Sequence, residues 1–118
     1  MYEVKIEAYN QAKKKVKVVL LVDQPTFGGA EECAIKHVVG NRGLTDVTIK
    51  SITRSKLCVG DFAPEKSQFV VTVSYETIDG KPFKEQTLFS ADSIDEAFAF
   101  ETNGQIIKVT TSKIEEVI

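Results

Sequence analysis

Two residues with metal-binding and nucleophilic side chains, Cys33 and His37, lie four positions apart. On a helix this spacing puts both on one face, where they can share a metal ion or form a thiol–imidazole pair. A structural zinc site needs two more ligands, and no second pair stands at ligand spacing. A catalytic pair also needs an orienting acid such as Asp23. We therefore expect a buried cysteine beside a lone histidine, and no catalytic residue, metal site or cofactor.

Two adjacent glycines, Gly28 and Gly29, stand in the first turn of a predicted helix. Their backbone N–H groups lie near the positive end of the helix dipole, where an anion can bind. Glycines also allow a helix turn to approach a neighbouring strand closely. The pair matches neither the phosphate loop nor the dinucleotide fingerprint, so close packing is the favoured interpretation and anion contact the alternative.

An acidic cluster accompanies a second, shorter predicted helix and consists of Asp92, Asp95, Glu96 and Glu101. Acidic side chains in a first turn stabilise the helix dipole. Ser93 and Glu96 also have the spacing of a capping box. Helix capping is therefore favoured over metal binding.

The basic run of the chain lies at the tip of the first predicted hairpin and consists of Lys13, Lys14, Lys15 and Lys17. With Tyr9 nearby, such a hairpin can contact phosphates and stack a base. Lysines at a hairpin end are also ordinary devices that keep a sheet edge soluble. The pI near 5.4 argues against general nucleic-acid binding. A solvated hairpin is the favoured interpretation, and nucleic-acid contact remains the alternative.

Length and composition indicate one small domain. The 118 residues, 42% of them hydrophobic, suffice for one compact core and are too few for two ordinary domains. No apolar run is long enough for a membrane span or a signal peptide, so we expect a soluble cytoplasmic protein without membrane contact.

The two halves of the chain differ in net charge. When the chain is divided after Gly60, the first part has a net charge of +4 and the second part a net charge of -6. This asymmetry can mark a partner surface or an intramolecular match.

The first half of the chain predicts strand, strand, helix, strand. Alternating apolar residues predict a strand over 2–9, and a turn at 10–13 leads into a second strand over 14–22. Thr26 is the predicted helix cap. Four residues are expected on the helix face that packs against the sheet, namely Phe27, Ala30, Ala34 and Val38. The third strand is expected to point Val47, Ile49 and Ser51 inward.

The second half repeats this order after a connector at residues 60–67. A shift of 67 positions aligns strand, hairpin, strand and helix cap, whereas the last strand aligns at a shift of 60. The predicted fold is therefore α+β, with internally duplicated β-β-α-β units, a mainly antiparallel sheet and two helices, the second shorter by seven residues. We expect a single domain, 1–118, made of repeats at about 1–58 and 68–118. One continuous sheet and two sheets sharing a core both remain open.

The passage from the second strand into the helix carries a family resemblance. Leu21-Val22-Asp23, Thr26-Phe27 and Ala30-Glu31 resemble the strand-to-helix motif of short uncharacterised proteins of Bacteroidetes and their phages. The chain departs from that family at Gly28-Gly29 and in its short second helix. The resemblance implies a phage or mobile-element context, and it implies no mechanism and no functional residues.

These patterns lead to three functional expectations. The first is a non-enzymatic interaction protein that binds a host or phage protein through a sheet edge or the lysine hairpin. The alternative is a nucleic-acid-binding accessory factor that uses Lys13–Lys17 with Tyr9 or Arg54. A small-molecule site near Gly28-Gly29 ranks third. Exposed strand edges also make a homo-oligomer formed by edge pairing a further expectation.

Overall fold

The computed structural model describes residues 1–60 and 62–118. These residues form eight strands, in two mostly antiparallel sheets, and two helices, so the predicted α+β class is confirmed. In chain order the elements are β1 Tyr2–Tyr9, β2 Lys15–Val22, α1 Phe27–Gly40, β3 Thr45–Arg54, β4 Cys58–Val59, β5 Ser67–Glu76, β6 Pro82–Ala91, α2 Ile94–Phe98, β7 Gln105–Thr111 and β8 Glu116–Val117.

The chain divides into two compact units. Unit 1 consists of Met1–Ser55 with Ile114–Ile118, and unit 2 consists of Lys56–Lys113. Each unit has its own four-stranded sheet. Residues 114–118 belong to unit 1 although they follow unit 2 in the chain, an arrangement that the predicted repeat boundaries do not include. The prediction of a single domain built from two repeats stays a prediction.

Unit 1 is a sheet that α1 covers on one face. The strand order is β3-β1-β2-β8, with β1 antiparallel to both neighbours and β8 parallel to β2. The alternation predicted for β1 is present, since its buried residues are Tyr2, Val4, Ile6 and Ala8. The helix contributes a stripe at intervals of four, formed by the fully buried Ala30, Ala34 and Val38. These side chains form one core cluster.

Phe27 does not lie on the buried face, and its prediction as a core residue is wrong. Its side chain is 52% exposed, and its ring meets the Tyr2 ring edge-on at a centroid distance of 6.2 Å. Phe27 is the first residue of α1, directly after the N-cap Thr26. Helical side chains tilt towards the helix N-terminus, so a large side chain in the first turn projects beyond the residues that would cover it.

Unit 2 has the strand order β4-β6-β5-β7, with β4 parallel to β6. The helix α2 has five residues against fourteen in α1, so the predicted short second helix is confirmed. Its N-cap is Ser93, whose Oγ accepts from Glu96 N at 3.2 Å, while Glu96 Oε2 accepts from Asp92 N at 3.3 Å. The Glu96 carboxylate therefore belongs to the helix cap, as the capping interpretation expects, and Asp92 contributes its backbone N–H. The core beneath α2 contains Phe69, Ala91 and Ala97.

The predicted connector, residues 60–67, is bonded to the sheet of unit 2. Its Asp61 lies outside the described residues. Ala63 N donates to Ser90 Oγ at 2.9 Å, and Gln68 Nε2 donates to Ala63 O at 2.8 Å. Gln68 and Ser90 are both buried, so their hydrogen bonds to this loop satisfy polar groups that burial would otherwise leave unpaired.

The two sheets have matching strand registers. Tyr2 lies opposite Val22 and Phe69 opposite Phe89, a shift of 67 for both strands of the hairpin. Ile6 of β1 lies opposite Ile49, whereas the corresponding Val73 lies opposite Ile106, a shift of only 57. The shift of 60 predicted for the last strand is therefore wrong, and the second half is ten residues shorter between these points rather than seven. The internal duplication itself stays a prediction.

The two hairpin turns have the same hydrogen bonds. Lys13 N donates to Asn10 O at 2.9 Å, and Gly80 N donates to Thr77 O at 2.9 Å. The Asn10 and Thr77 side chains accept from the backbone N–H of the residue that closes each turn. Lys13 and Gly80 occupy corresponding positions with φ of 60° and 76°. Only in the second turn does a glycine occupy this left-handed position, which costs a lysine free energy.

This difference predicts that Lys13→Gly stabilises the protein by about 1 kcal/mol, because the left-handed conformation costs a side chain about that much. Gly80→Lys should destabilise it by a similar amount. Lys14→Gly is the control, since Lys14 is in the same turn without a positive φ and should lose stability. Urea denaturation measures all three variants. A Lys13→Gly variant no more stable than the wild type would show that the turn tolerates lysine without strain.

Candidate partner-binding face

The register of the first hairpin places three of the predicted contact residues on one face of the unit 1 sheet. Tyr9 lies directly opposite Lys15, and Glu7 directly opposite Lys17. Opposite residues in an antiparallel pair share a face, and so do residues two apart along a strand. Tyr9, Lys15 and Lys17 therefore lie together, on the face away from α1. At its other end this face is buried, since Leu21 has no exposed surface.

Two further lysines lie on this face. Lys5 is exposed two positions before Glu7 on β1, and the Lys50 side chain of β3 contacts the Glu7 carboxylate. We call the surface formed by Lys5, Tyr9, Lys15, Lys17 and Lys50 the lysine face. Neither Lys5 nor Lys50 was among the contact residues predicted from the sequence.

β3 contains a bulge at Lys50. Ser51 pairs with Lys5 and Ile49 pairs with Ile6, which leaves Lys50 as an extra residue between them. A bulge interrupts the period of two, so the prediction that Ser51 points inward is wrong and Ile52, opposite the buried Val4, packs against the core instead. The spacing of three between Ile49 and Ile52 is the sequence signal that marks this bulge.

Glu7 is the acidic centre of the lysine face. Its Oε2 lies 3.2 Å from Lys15 Nζ and 3.2 Å from Lys50 Nζ. The hydrogen bond from Lys50 lowers the pKa of the Glu7 carboxyl, and although partial desolvation opposes this, Lys15 lowers it further. Glu7 is therefore ionised at neutral pH and holds two lysine side chains side by side. Lys5 and Lys17 form no ion pair with any described residue.

Lys13 and Lys14 lie in the turn, apart from this face. Lys14 N donates to Asn10 Oδ1 at 3.0 Å, and both lysine side chains are exposed. The structure therefore divides the predicted basic run into two parts, the turn residues Lys13 and Lys14 and the strand residues Lys15 and Lys17. Arg54, also considered for nucleic-acid contact, lies opposite Tyr2 on the helix-covered face, with its guanidinium 5.9 Å from the Tyr2 ring centre.

The overall charge asymmetry is smaller than the cut after Gly60 indicates. Unit 1 contains nine Lys/Arg and eight Asp/Glu, and unit 2 contains six and nine, giving +1 and -3. The difference arises because unit 1 loses Lys56 and gains Glu115 and Glu116. The basic character of unit 1 is therefore local to the hairpin and does not describe the whole unit.

The two glycines of α1 have different surroundings. Gly29 N donates to Thr26 Oγ1 at 3.0 Å, and a Cβ added to Gly29 would meet that oxygen at 2.9 Å and Gln24 Oε1 at 3.2 Å. Close packing at Gly29 is thus against the cap and the preceding turn rather than against a strand. A Cβ added to Gly28 would meet no atom within 4 Å. The Gly29 N–H already donates to the N-cap side chain of Thr26. Anion contact at Gly28 and Gly29 therefore stays a prediction.

His37 is directed towards a carboxylate. Its Nε2 lies 2.7 Å from Glu116 Oε2, an electrostatic contact rather than an aligned hydrogen bond, while Asn41 Nδ2 lies 3.0 Å from Nδ1. Cys33 is half-buried against the unit 1 core. Within residues 1–60 and 62–118, no three His, Cys, Asp or Glu side chains are grouped so that they could hold a metal ion.

Among the described residues, an electrostatic cluster joins α1 and its C-terminal loop to Glu115 and β8. Arg42 Nε donates to Glu116 Oε1 at 2.8 Å, Arg42 Nη2 donates to the same oxygen, and Arg42 Nη1 donates to Glu115 Oε1 at 3.3 Å. Partial burial would raise the pKa of Glu116, but the hydrogen bond and charge of Arg42, together with His37, outweigh it and lower that pKa. Sequence reasoning missed this cluster because its residues are more than 70 positions apart.

No protein-family model, curated protein or solved structure matches this chain. Among the described residues, no helix is long and apolar enough to cross a membrane.

The lowered pKa of Glu116 gives a pH-dependent contribution to stability. A carboxyl group whose pKa is depressed on folding stabilises the protein above its unfolded pKa, ordinarily 4.5, and loses this contribution as the pH falls through the folded pKa. Glu116→Gln should therefore cost about 1.5–3 kcal/mol at neutral pH, typical for a hydrogen bond to a charged group. The cost should shrink in acid.

Urea denaturation of both proteins, at neutral pH and in acid below the ordinary carboxyl pKa, measures this difference. Glu65→Gln is a matched control, because Glu65 is exposed and has no ion pair with a described residue. A constant difference between wild type and Glu116→Gln at both pH values would show that the Glu116 charge does not contribute.

Proposed function

We propose that this chain is a non-enzymatic interaction protein that binds a macromolecular partner through the lysine face. The observation that carries the proposal is the convergence of four lysines from three strands on one sheet face, beside a 38%-exposed tyrosine. Charges distributed over a face match an extended acidic surface better than charges at one turn do. The family resemblance supports a phage or mobile-element origin and action in the host-cell cytoplasm.

The lysine face fits an acidic protein surface in charge. Its central strand β1 is paired on both sides, so the backbone of β1 is satisfied and recognition along it falls to side chains. Lys15 and Lys50 are held in place by Glu7, which reduces the entropy that ordering them in a complex would cost. Tyr9 supplies an amphipathic ring of the kind that is enriched at interfaces.

Single-stranded nucleic acid is the alternative partner, and one observation favours it. Tyr9 lies directly opposite Lys15, so an exposed ring and an ammonium group stand side by side at the exposed end of the face. Stacking of one base on an aromatic ring contributes roughly 1–3 kcal/mol, and the neighbouring lysines can contact the phosphates on either side. Binding of this kind tolerates many sequences and weakens with salt.

The first test uses two double variants with the same change in charge. Lys15→Gln with Lys17→Gln removes lysines from the lysine face, and Lys13→Gln with Lys14→Gln removes them from the turn. We expect the face variant to lose the partner and the turn variant to keep it. The measurement is affinity capture from native host cells, with wild type and both variants as parallel baits and the stoichiometry of each captured protein recorded.

The same proteins distinguish the partner classes. Fluorescence anisotropy with a labelled single-stranded oligonucleotide at several salt concentrations tests the nucleic-acid alternative. If the nucleic-acid alternative is correct, the double variant Lys15→Gln with Lys17→Gln should lower the magnitude of the slope of log binding constant against log salt concentration by roughly 1.4. This is about 0.7 for each of two lost phosphate contacts. Equal capture and equal oligonucleotide binding by both variants would contradict any role of the lysine face.

Glu7→Gln provides a test in the opposite direction. It removes the one carboxylate within 4 Å of Lys15 and Lys50 among the described residues, and adds one unit of net positive charge to the face. Affinity for an acidic partner or an oligonucleotide should rise, with a steeper salt dependence. Glu3→Gln is the control, since Glu3 lies on the same strand and forms no ion pair with a described residue. Weaker binding by Glu7→Gln than by Glu3→Gln would contradict this expectation. It would indicate that Glu7 positions the lysine side chains for binding and that its negative charge does not repel the ligand.

A further inference from the structure

The outer edge of β2 in unit 1 holds a short parallel strand, β8. Leu20 pairs with Glu116, and Leu21 pairs with Val117. Glu115 N donates to Val19 O at 2.8 Å, and Ile118 N donates to Leu21 O at 2.9 Å. Asp23 N donates in turn to Ile118 O at 2.8 Å. A sheet edge that gains a short strand through backbone hydrogen bonds uses the same chemistry as peptide recognition by strand addition.

Side chains make this edge selective. Arg42 donates to both Glu115 and Glu116, and His37 Nε2 lies 2.7 Å from Glu116. The second carboxylate oxygen of Glu115 accepts from Val19 N at 3.2 Å. Ile118 packs against the unit 1 core. The edge therefore recognises two successive acidic residues followed by an apolar end, through charge, backbone pairing and burial.

The corresponding edge in unit 2 shows that the backbone part of this recognition does not depend on one sequence. Thr87 and Leu88 of β6 pair in parallel with Cys58 and Val59, at positions shifted by 67 from the β2 pairs. Gly60 N donates to Leu88 O at 3.3 Å, as Ile118 N does to Leu21 O. The strand on the β6 edge, Cys58–Val59, contains no acidic pair. Acidic residues are therefore favoured only at the β2 edge, where Arg42 and His37 contact them.

We propose that the β2 edge, with Arg42 and His37, is a strand-addition site that a second copy of this chain occupies with the same Ile114–Ile118 segment. Each hydrogen bond and charged contact described above joins this segment to residues between Val19 and Arg42 of unit 1, and Ile118 packs against the core of the same unit, so unit 1 of a second copy can make all of them. Ser112 N donates to Gln68 O at 2.9 Å, which keeps the preceding residue in unit 2 and places the hinge at the exposed Lys113. Exchange of an identical segment creates a dimer at low free-energy cost.

The exchange can be isolated with two complementary charge reversals. Arg42→Glu places a carboxylate opposite Glu116, and Glu116→Lys places an ammonium group opposite Arg42, so each variant repels its own segment. In a mixture, Glu at position 42 of one variant can pair with Lys at position 116 of the other, and Arg42 of the second variant can pair with Glu116 of the first. Each site is therefore complementary only to the segment of the other variant. We expect each variant alone to have the 13.0 kDa mass of one chain, and the equimolar mixture to show twice that mass by light scattering after size exclusion.

The double variant Arg42→Glu with Glu116→Lys is the matched control. It restores a complementary pair within one chain and should remain folded by circular dichroism. A mixture that stays at the mass of one chain, while the double variant is folded, would overturn the proposal.

Light scattering of the wild-type chain at two concentrations gives a second measurement that needs no variant to fold. Mass that rises with concentration and is lost in Arg42→Glu supports exchange, and constant mass for the wild type and for the mixture excludes it. Neither result depends on the lysine face, so failure here leaves the proposed partner binding untouched.

Discussion

The hydrogen-bond register of β1 is the constraint on which the rest of unit 1 depends. Side chains alternate across a strand, so a slip of one residue would move every core residue of β1 to the opposite face. The observed register with β2 buries Val4, Ile6 and Ala8 beneath α1 and leaves Lys5, Glu7 and Tyr9 on the other face. One set of backbone hydrogen bonds therefore positions both the core and the lysine face.

Bulges in β3 and β7 modify this constraint in corresponding places. In unit 1 the extra residue is Lys50, which lies at Glu7, and in unit 2 it is the half-exposed Ile107. A bulge keeps the apolar residues on both sides of it facing the core while turning one residue outward. The same backbone irregularity thus places a charged contact residue in one unit and an exposed apolar residue in the other.

Two carboxylates organise the basic side chains of unit 1 in different ways. Glu7 holds Lys15 and Lys50 on an open sheet face, where solvent screens each ion pair and the effect is to position side chains rather than to stabilise the fold. Glu116 is less accessible and accepts from Arg42, with His37 on its other side. Hydrogen bonds from Arg42, in the loop after α1, hold Glu115 and Glu116 and favour acidic residues at the β2 edge. The lysine face and the β2 edge are therefore separate surfaces that both favour acidic ligands.

The sequence by itself determined the six longer strands, the two helices and their order, because periodicity, helix caps and turns are local properties of the chain. It missed the two-residue strands β4 and β8. It also identified Tyr9, Lys15 and Lys17, since residues near one another on a hairpin stay together when the hairpin folds. Tertiary structure alone decided that Lys50 joins them and that Lys13 and Lys14 do not. It also decided that His37 meets Glu116, and that residues 114–118 return to unit 1. These outcomes depend on strand register, a bulge and a pairing across more than 70 residues. The spacing of Ile49 and Ile52 marks the bulge, but register and long-range pairing leave no periodic signal in the sequence.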